Sequence, residues 1–152
     1  MRTLFISLTL LMTPLSTLAD GIKVGGIDHT GLTVVDLAAS TRFFETLGFK
    51  KVGEDPSYPS NFITNGKAFI TLWRVTDPDN YVSFNRKNQV GLHHIALSVS
   101  SNEDLDKLYN TLSKFDGVEI EFSPELSGKR PARHMMLREP SGNRNELVHR
   151  PN

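Results

Sequence analysis

The alternation of apolar and polar residues repeats itself along this chain. "HTGLTV" begins at residue 29 and "HIALSV" at residue 94, and they read in step as His, Thr/Ile, Gly/Ala, Leu, Thr/Ser, Val. Such alternation predicts a half-buried strand each time. A helix follows each one. "LAASTRFFETLGF" carries apolar Leu37, Phe44 and Leu47 behind a capping Asp36 and ahead of a stop at Gly48. "NEDLDKLYNTLSKFDG" carries Leu105, Leu108, Tyr109 and Leu112 at helical spacing, with Ser101 and Asp104 in capping-box positions and Gly117 just past the end. The aromatic pair Phe43 and Phe44 belongs to the first helix and reads as packing.

Beyond each helix lie three short segments rich in apolar and β-branched residues. They are "FKKVG", "NFITNG" and "AFITLWRV" in the first half, then "VEIEF", "HMMLREP" and "NELVHR" in the second. Turn-forming stretches separate them, notably "EDPSYPS" and "SPELSGKRP". Both halves therefore predict strand, helix, strand, strand, strand, with 65 residues (29 to 94) between the two leading histidines. The expected fold is α+β: two βαβββ modules, about 24–77 and about 90–150, in a pseudo-two-fold arrangement that curves mixed sheet around a cleft. In such a cleft His29 and His94 occupy equivalent points and can meet.

Composition narrows the possible partners. The 152 residues carry 17 basic and 17 acidic side chains, leaving no net field to attract nucleic acid or an anionic membrane. The first residues, "MRTLFISLTLLMTPLSTLAD", have the layout of a secretory signal peptide over 1–19, with cleavage expected after Ala19. Their apolar run is too short for a stable membrane anchor. With no cysteine in the chain, the fold cannot rely on disulfides. An exported, periplasmic or secreted single domain over 20–152 is the expectation.

Three stretches in order, "GGIDHTGLTVVDLAASTRFFETLGF", "GLHHIALSV" and "EPSGNRNELVHR", resemble the vicinal oxygen chelate superfamily. That group includes glyoxalase I, extradiol dioxygenases, fosfomycin-resistance transferases and bleomycin-binding proteins. The resemblance implies metal ligands on the first strand of each module and on a last strand. Carried over by position, these are His29, His94 and Glu146. Two imidazoles and one carboxylate form a facial triad suited to Fe2+, Mn2+, Ni2+ or Zn2+, with positions open for a bidentate oxygen substrate. Alternation lets only one of the neighbours His93 and His94 face the cleft, and the match of "HIALSV" with "HTGLTV" selects His94 and turns His93 the other way.

The two modules differ at their ends. Thr71 stands where Glu146 stands in the second module, and a hydroxyl is a poor metal ligand and a poor base, which speaks against glyoxalase I chemistry. Gly31 replaces the threonine found in the fosfomycin transferases, and both of those activities use cytosolic thiols. By parity Trp73 joins Thr71, while His134, Met136 and Arg138 alternate with Arg133, Met135 and Leu137, and the family resemblance implies that the His134 set faces the cleft. His134 is then a candidate general base and Arg138 a grip for an anionic substrate. "GKRPAR" reads as a loop over the cleft mouth. A lyase, isomerase or dioxygenase acting on a small molecule is the first functional expectation. A sequestering protein of the bleomycin-resistance type is the second, and a structural metal site in an interaction module the third. The family resemblance also implies a homodimer.

Overall fold

Each half folds around the helix cap that its sequence supplies. In the computed structural model, which describes residues 25–129 and 131–151, β1 (Thr30–Val34) leads into α1 (Leu37–Thr46). The Asp36 carboxylate accepts from the Ala39 amide at 2.9 Å, and Gly48, with φ of 87°, releases the chain from the helix. Strands β2 (Lys50–Asp55), β3 (Tyr58–Thr64) and β4 (Phe69–Arg74) complete the first module. The second repeats the order: β5 (Ile95–Ser98), α2 (Asn102–Leu112), β6 (Glu119–Leu126), β7 (Arg133–Arg138) and β8 (Arg144–His149). Ser101 caps α2 by accepting from the Asp104 amide at 3.0 Å. The signal-peptide segment and Arg130 of the "GKRPAR" loop lie outside the described residues. Among the described residues no helix is long and apolar enough to cross a membrane.

The modules make two four-stranded sheets with the same topology, β1-β4-β3-β2 and β5-β8-β7-β6. In each, the first strand runs parallel to the last and the other pairings are antiparallel. Register makes the repeat residue-specific: Gly31 pairs Thr71 as Ala96 pairs Glu146, and Phe62 pairs Thr71 as Met136 pairs Glu146. Even the irregularities recur, since the register shifts between Lys51 and Gly53 and again between Ile120 and Phe122.

Three strands exceed the expected lengths. β2 and β3 continue into "EDPSYPS" because Asp55 and Ser60 organise a tight turn: the Asp55 carboxylate accepts from the Ser57 amide (2.8 Å) and hydroxyl (2.6 Å), and the Ser60 hydroxyl accepts from the Asp55 amide (2.8 Å). β6 carries Pro124 through to Leu126 because it is an edge strand, where a missing amide donor costs no ladder bond.

One hydrophobic cluster runs through both modules, joining Leu32, Val34, Phe43, Phe44, Ile63, Ile70 and Leu72 to Leu105, Leu112, Met135, Leu137 and Leu147. Phe43 packs edge-on against Phe115, so the aromatic pair is packing, as expected. The modules are also stapled by polar contacts. Ser40, fully buried in α1, donates to the buried Glu139 carboxylate at 2.5 Å, and Asn143 donates to the other Glu139 oxygen from its amide and side chain. Ser141 accepts from the Val35 amide and Asn143 donates to the Thr33 carbonyl. Thus "EPSGN" locks the β7–β8 turn to the start of α1.

Candidate functional site

With one face of each sheet committed to the core, strand alternation assigns the remaining side chains to a second, site-bearing face. On the first sheet this face carries Gly31, Thr33, Ser60, Phe62, Phe69, Thr71 and Trp73; on the second it carries Ala96, Ser98, His134, Met136, Arg138, Arg144 and Glu146. The parity expected for Trp73 with Thr71, and for the His134 set with Glu146, is the observed one.

Glu146 is the centre of the second module. It is buried, its Oε2 lies 3.3 Å from His94 Nε2, and its Oε1 lies 2.5 Å from His134 Nδ1. His134 is steadied by the Phe122 ring at 5.0 Å. Metal–ligand bonds of about 2.0–2.2 Å put neighbouring donors about 3.0–3.5 Å apart around one cation. The His94–Glu146 spacing of 3.3 Å therefore fits two adjacent ligands. His134 is placed to orient the carboxylate through its other oxygen, as partners of ligands commonly do.

His29 does not join them. Its Nδ1 bonds Asp28 at 2.7 Å, its ring packs edge-on to Phe69 at 6.0 Å, and its side chain is half exposed. Among the described residues, no three histidine, aspartate or glutamate side chains converge so as to hold a metal ion. The meeting of His29 and His94 expected from the repeat does not occur within one chain. Each sits just ahead of an equivalent strand and contacts its own module, His29 against Phe69 and His94 against Glu146.

Around His29 the first module is aromatic. Trp73 lies 5.6 Å from Phe62 and 5.9 Å from Tyr58, and Phe62 lies 6.4 Å from Phe69. The Trp73 indole N–H donates to the Thr71 hydroxyl at 2.9 Å, so the residue that replaces a second carboxylate is already engaged. A Cβ added at Gly31 would touch that hydroxyl at 3.4 Å, so these three residues form one packed group.

His93 corrects a sequence expectation. It does not turn away from His94: the two Nδ1 atoms are 2.8 Å apart, and Arg86 and Arg144 approach the His93 ring at 3.4 and 3.5 Å. Both histidines precede β5, where the backbone is not yet pleated and alternation does not apply. Desolvation by its neighbours, then the Arg144 and Arg86 charges, push the imidazole of the exposed His93 below its ordinary pKa and favour its neutral form.

Arg138 lies on the site face and donates to Glu121 Oε1 at 2.9 Å. Arg144 engages the other oxygen from Nε and Nη2, both at 2.8 Å, and Arg86 stands 3.6 Å away. Burial pushes Glu121 up, but the Arg144 hydrogen bond and the Arg144, Arg138 and Arg86 charges outweigh it and hold the carboxyl below its usual range. The sequence reading missed Phe62, Phe69 and Arg144, although parity with Thr71 and Glu146 would have found the last two. No periodic signal marks Arg86, which lies between the modules. A cavity of about 890 Å³ opens beside it, bordered by Gly31, Thr33, Arg86, Arg138 and Arg144.

The fold and this geometry define a class: duplicated βαβββ proteins whose sheets present an imidazole–carboxylate pair beside a cleft. The Glyoxalase/Bleomycin resistance protein/Dioxygenase superfamily model matches residues 26–147, and the chain belongs to that family. Among solved structures, a glyoxylase/bleomycin resistance protein/dioxygenase domain from Frankia sp. EAN1pec is 25% identical with a TM-score of 0.69, covering 86% of this chain and 95% of that one. The fosfomycin resistance protein FosX from Listeria monocytogenes has 18% identity and a TM-score of 0.63 over 84% and 94% of the two chains. Lactoylglutathione lyase from Agrobacterium tumefaciens has 18% identity and 0.59 over 84% and 96%. These likenesses concern the fold. No curated protein matches the chain.

Proposed function

We propose that the protein is an exported metalloenzyme of this family that acts on a small molecule with two adjacent oxygens. His94 and Glu146 of one chain would hold a divalent cation, and His29 of the partner subunit would complete the triad in a homodimer. The 3.3 Å separation of His94 Nε2 and Glu146 Oε2 carries this reading, together with the position of His29 on the opposite module. A cation there would act as a Lewis acid toward both substrate oxygens. His134, tied to Glu146 through Nδ1, has its second ring nitrogen for moving a substrate proton. Thr71 and Trp73 would shape the facing wall and exclude water, and Arg138 would orient an anionic group.

Metal analysis after reconstitution tests the site. Uptake below about one tenth of a cation per chain, with an unchanged melting temperature, would sink it. Mixing His29→Ala with Glu146→Ala chains tests the dimer: a two-fold site across subunits regains about a quarter of the wild-type sites on random exchange. No recovery means that the triad is not shared. Export predicts a mature N-terminus at Asp20, read by mass spectrometry of the secreted or periplasmic protein.

The aromatic wall of Tyr58, Phe62, Phe69 and Trp73 favours one alternative, a sequestering protein that stacks a planar ligand without chemistry. Undiminished ligand binding in His94→Ala, with no turnover in the wild type, would select it.

A further inference from the structure

The strongest feature outside the His94–Glu146 pair is an imbalance of charge. Arg138 and Arg144 are cross-strand partners on the site face, and Arg86 reaches the same point from the segment between the modules. All three guanidinium groups converge on the single carboxylate of Glu121. That carboxylate is already saturated, with Arg144 on one oxygen and Arg138 on the other. Glu119 adds little, since it is largely exposed and 4.0 Å from Arg138 Nε. His93 touches Arg86 and Arg144 but brings no negative charge.

Three half-buried cations around one anion repel each other where solvent screens them poorly. The Arg144 side chain is only 10% exposed and that of Arg86 21%. Arg86 Nε is buried without a hydrogen-bond partner, so its donor set is also incomplete. The neighbouring cavity of about 890 Å³ has a size suited to a small ligand, and Tyr81 and Phe84 give it an apolar wall. The cluster has the charge and donors for an oxyanion, and the cavity has room for the rest of a molecule.

We propose that Arg86, Arg138 and Arg144 form a binding subsite for the carboxylate or phosphate head of an organic anion whose apolar body lies along Tyr81 and Phe84. The subsite stands on the arginine cluster alone. Its assignment as a substrate subsite rests on the proposed metal function. Arg138 and Arg144 lie one rung beyond Met136 and Glu146, two residues along each strand, or about 7 Å. The substrate class that follows is an organic acid or phosphate ester that also carries an adjacent pair of oxygens.

Calorimetric titration of the mature chain with inorganic phosphate and with benzoate, at fixed ionic strength and with metal chelated, tests the subsite. Saturable binding of both is expected, each displacing the other, with affinity reduced at least about tenfold in Arg86→Gln and in Arg138→Gln. Lys67→Gln, a charge removed from an exposed turn, should bind as the wild type does. No saturable binding, or wild-type affinity in Arg86→Gln, overturns the proposal; binding of phosphate without benzoate overturns its organic-anion part. His94→Ala separates the two readings. Anion binding retained in wild type and in His94→Ala, with no metal uptake by the wild type, leaves the subsite standing and removes the metal reading.

Discussion

The two modules share a frame and differ in what they hang on it. Rung by rung across the last two strands, Thr64–Phe69, Phe62–Thr71 and Ser60–Trp73 in the first module occupy the places of Arg138–Arg144, Met136–Glu146 and His134–Val148 in the second. The bulge residue Val52 corresponds in the same way to Glu121. One site face is aromatic and hydroxyl-bearing; the other is ionic. Backbone pairing depends on alternation and turn chemistry, which tolerate almost any side chain on the second face. Duplication therefore preserved the register while the chemistry of the two faces diverged.

The sharpest way to break the comparison is to remove its ionic centre and leave its counterpart. Glu146→Ala should weaken metal binding by more than about 100-fold, beyond what loss of an outer partner costs. Thr71→Ala should change it less than about threefold, because its hydroxyl is engaged with Trp73. Competition with a chromogenic chelator reads both. His134→Ala should fall between them, at about 10–100-fold, as expected for a group that orients a ligand.

The helices offer a comparison in stability. Counting from the caps Asp36 and Ser101, Ser40 in α1 corresponds to Leu105 in α2, and both are fully buried. Leu105→Ala should cost about 2–5 kcal/mol in urea unfolding as a core cavity. Ser40→Ala should cost about 1–3 kcal/mol, since it strips a hydrogen bond from the buried Glu139 carboxylate. A loss from Ser40→Ala as small as that of an exposed substitution would show that the staple between modules is dispensable.

The smallest effect concerns acid. Glu121 has a depressed pKa in the folded protein, so the unfolded chain binds more protons between that value and the ordinary 4.5. The contribution of Glu121 is present in full above pH 4.5 and is lost as pH falls through the folded value. Glu121→Gln should accordingly flatten the acid limb of the stability curve below that pH, while Val52→Gln at the equivalent bulge should leave the limb unchanged.

Much of this was written locally. Asp36, Ser101 and Gly48 marked helix ends, whereas α2 stops at Leu112, short of the end expected at Gly117; alternation grouped Trp73 with Thr71 and Arg138 with His134 on their strands. The repeat of "HTGLTV" in "HIALSV" predicted the duplicated modules and the equivalence of Thr71 with Glu146, which the register bears out. Strand ends at "EDPSYPS" and "SPELS" were misjudged because side-chain hydrogen bonds and an edge position let those strands continue.

Proximity between modules was beyond any local signal. Periodicity says which side of a strand a residue takes, but not which other surface that side meets. Strand pairing within each module, first strand against last, sets His29 beside Phe69 and His94 against Glu146, and packing of the two halves around one core fastens Ser40 to Glu139. Tertiary contact likewise brings Arg86, from the segment between the modules, to the Glu121 carboxylate shared by Arg138 and Arg144, which lie more than fifty residues further along the chain. Pattern established the frame and its faces; tertiary contact decided which charges share a site, because electrostatic and metal-binding chemistry depend on distance in space rather than position along the chain.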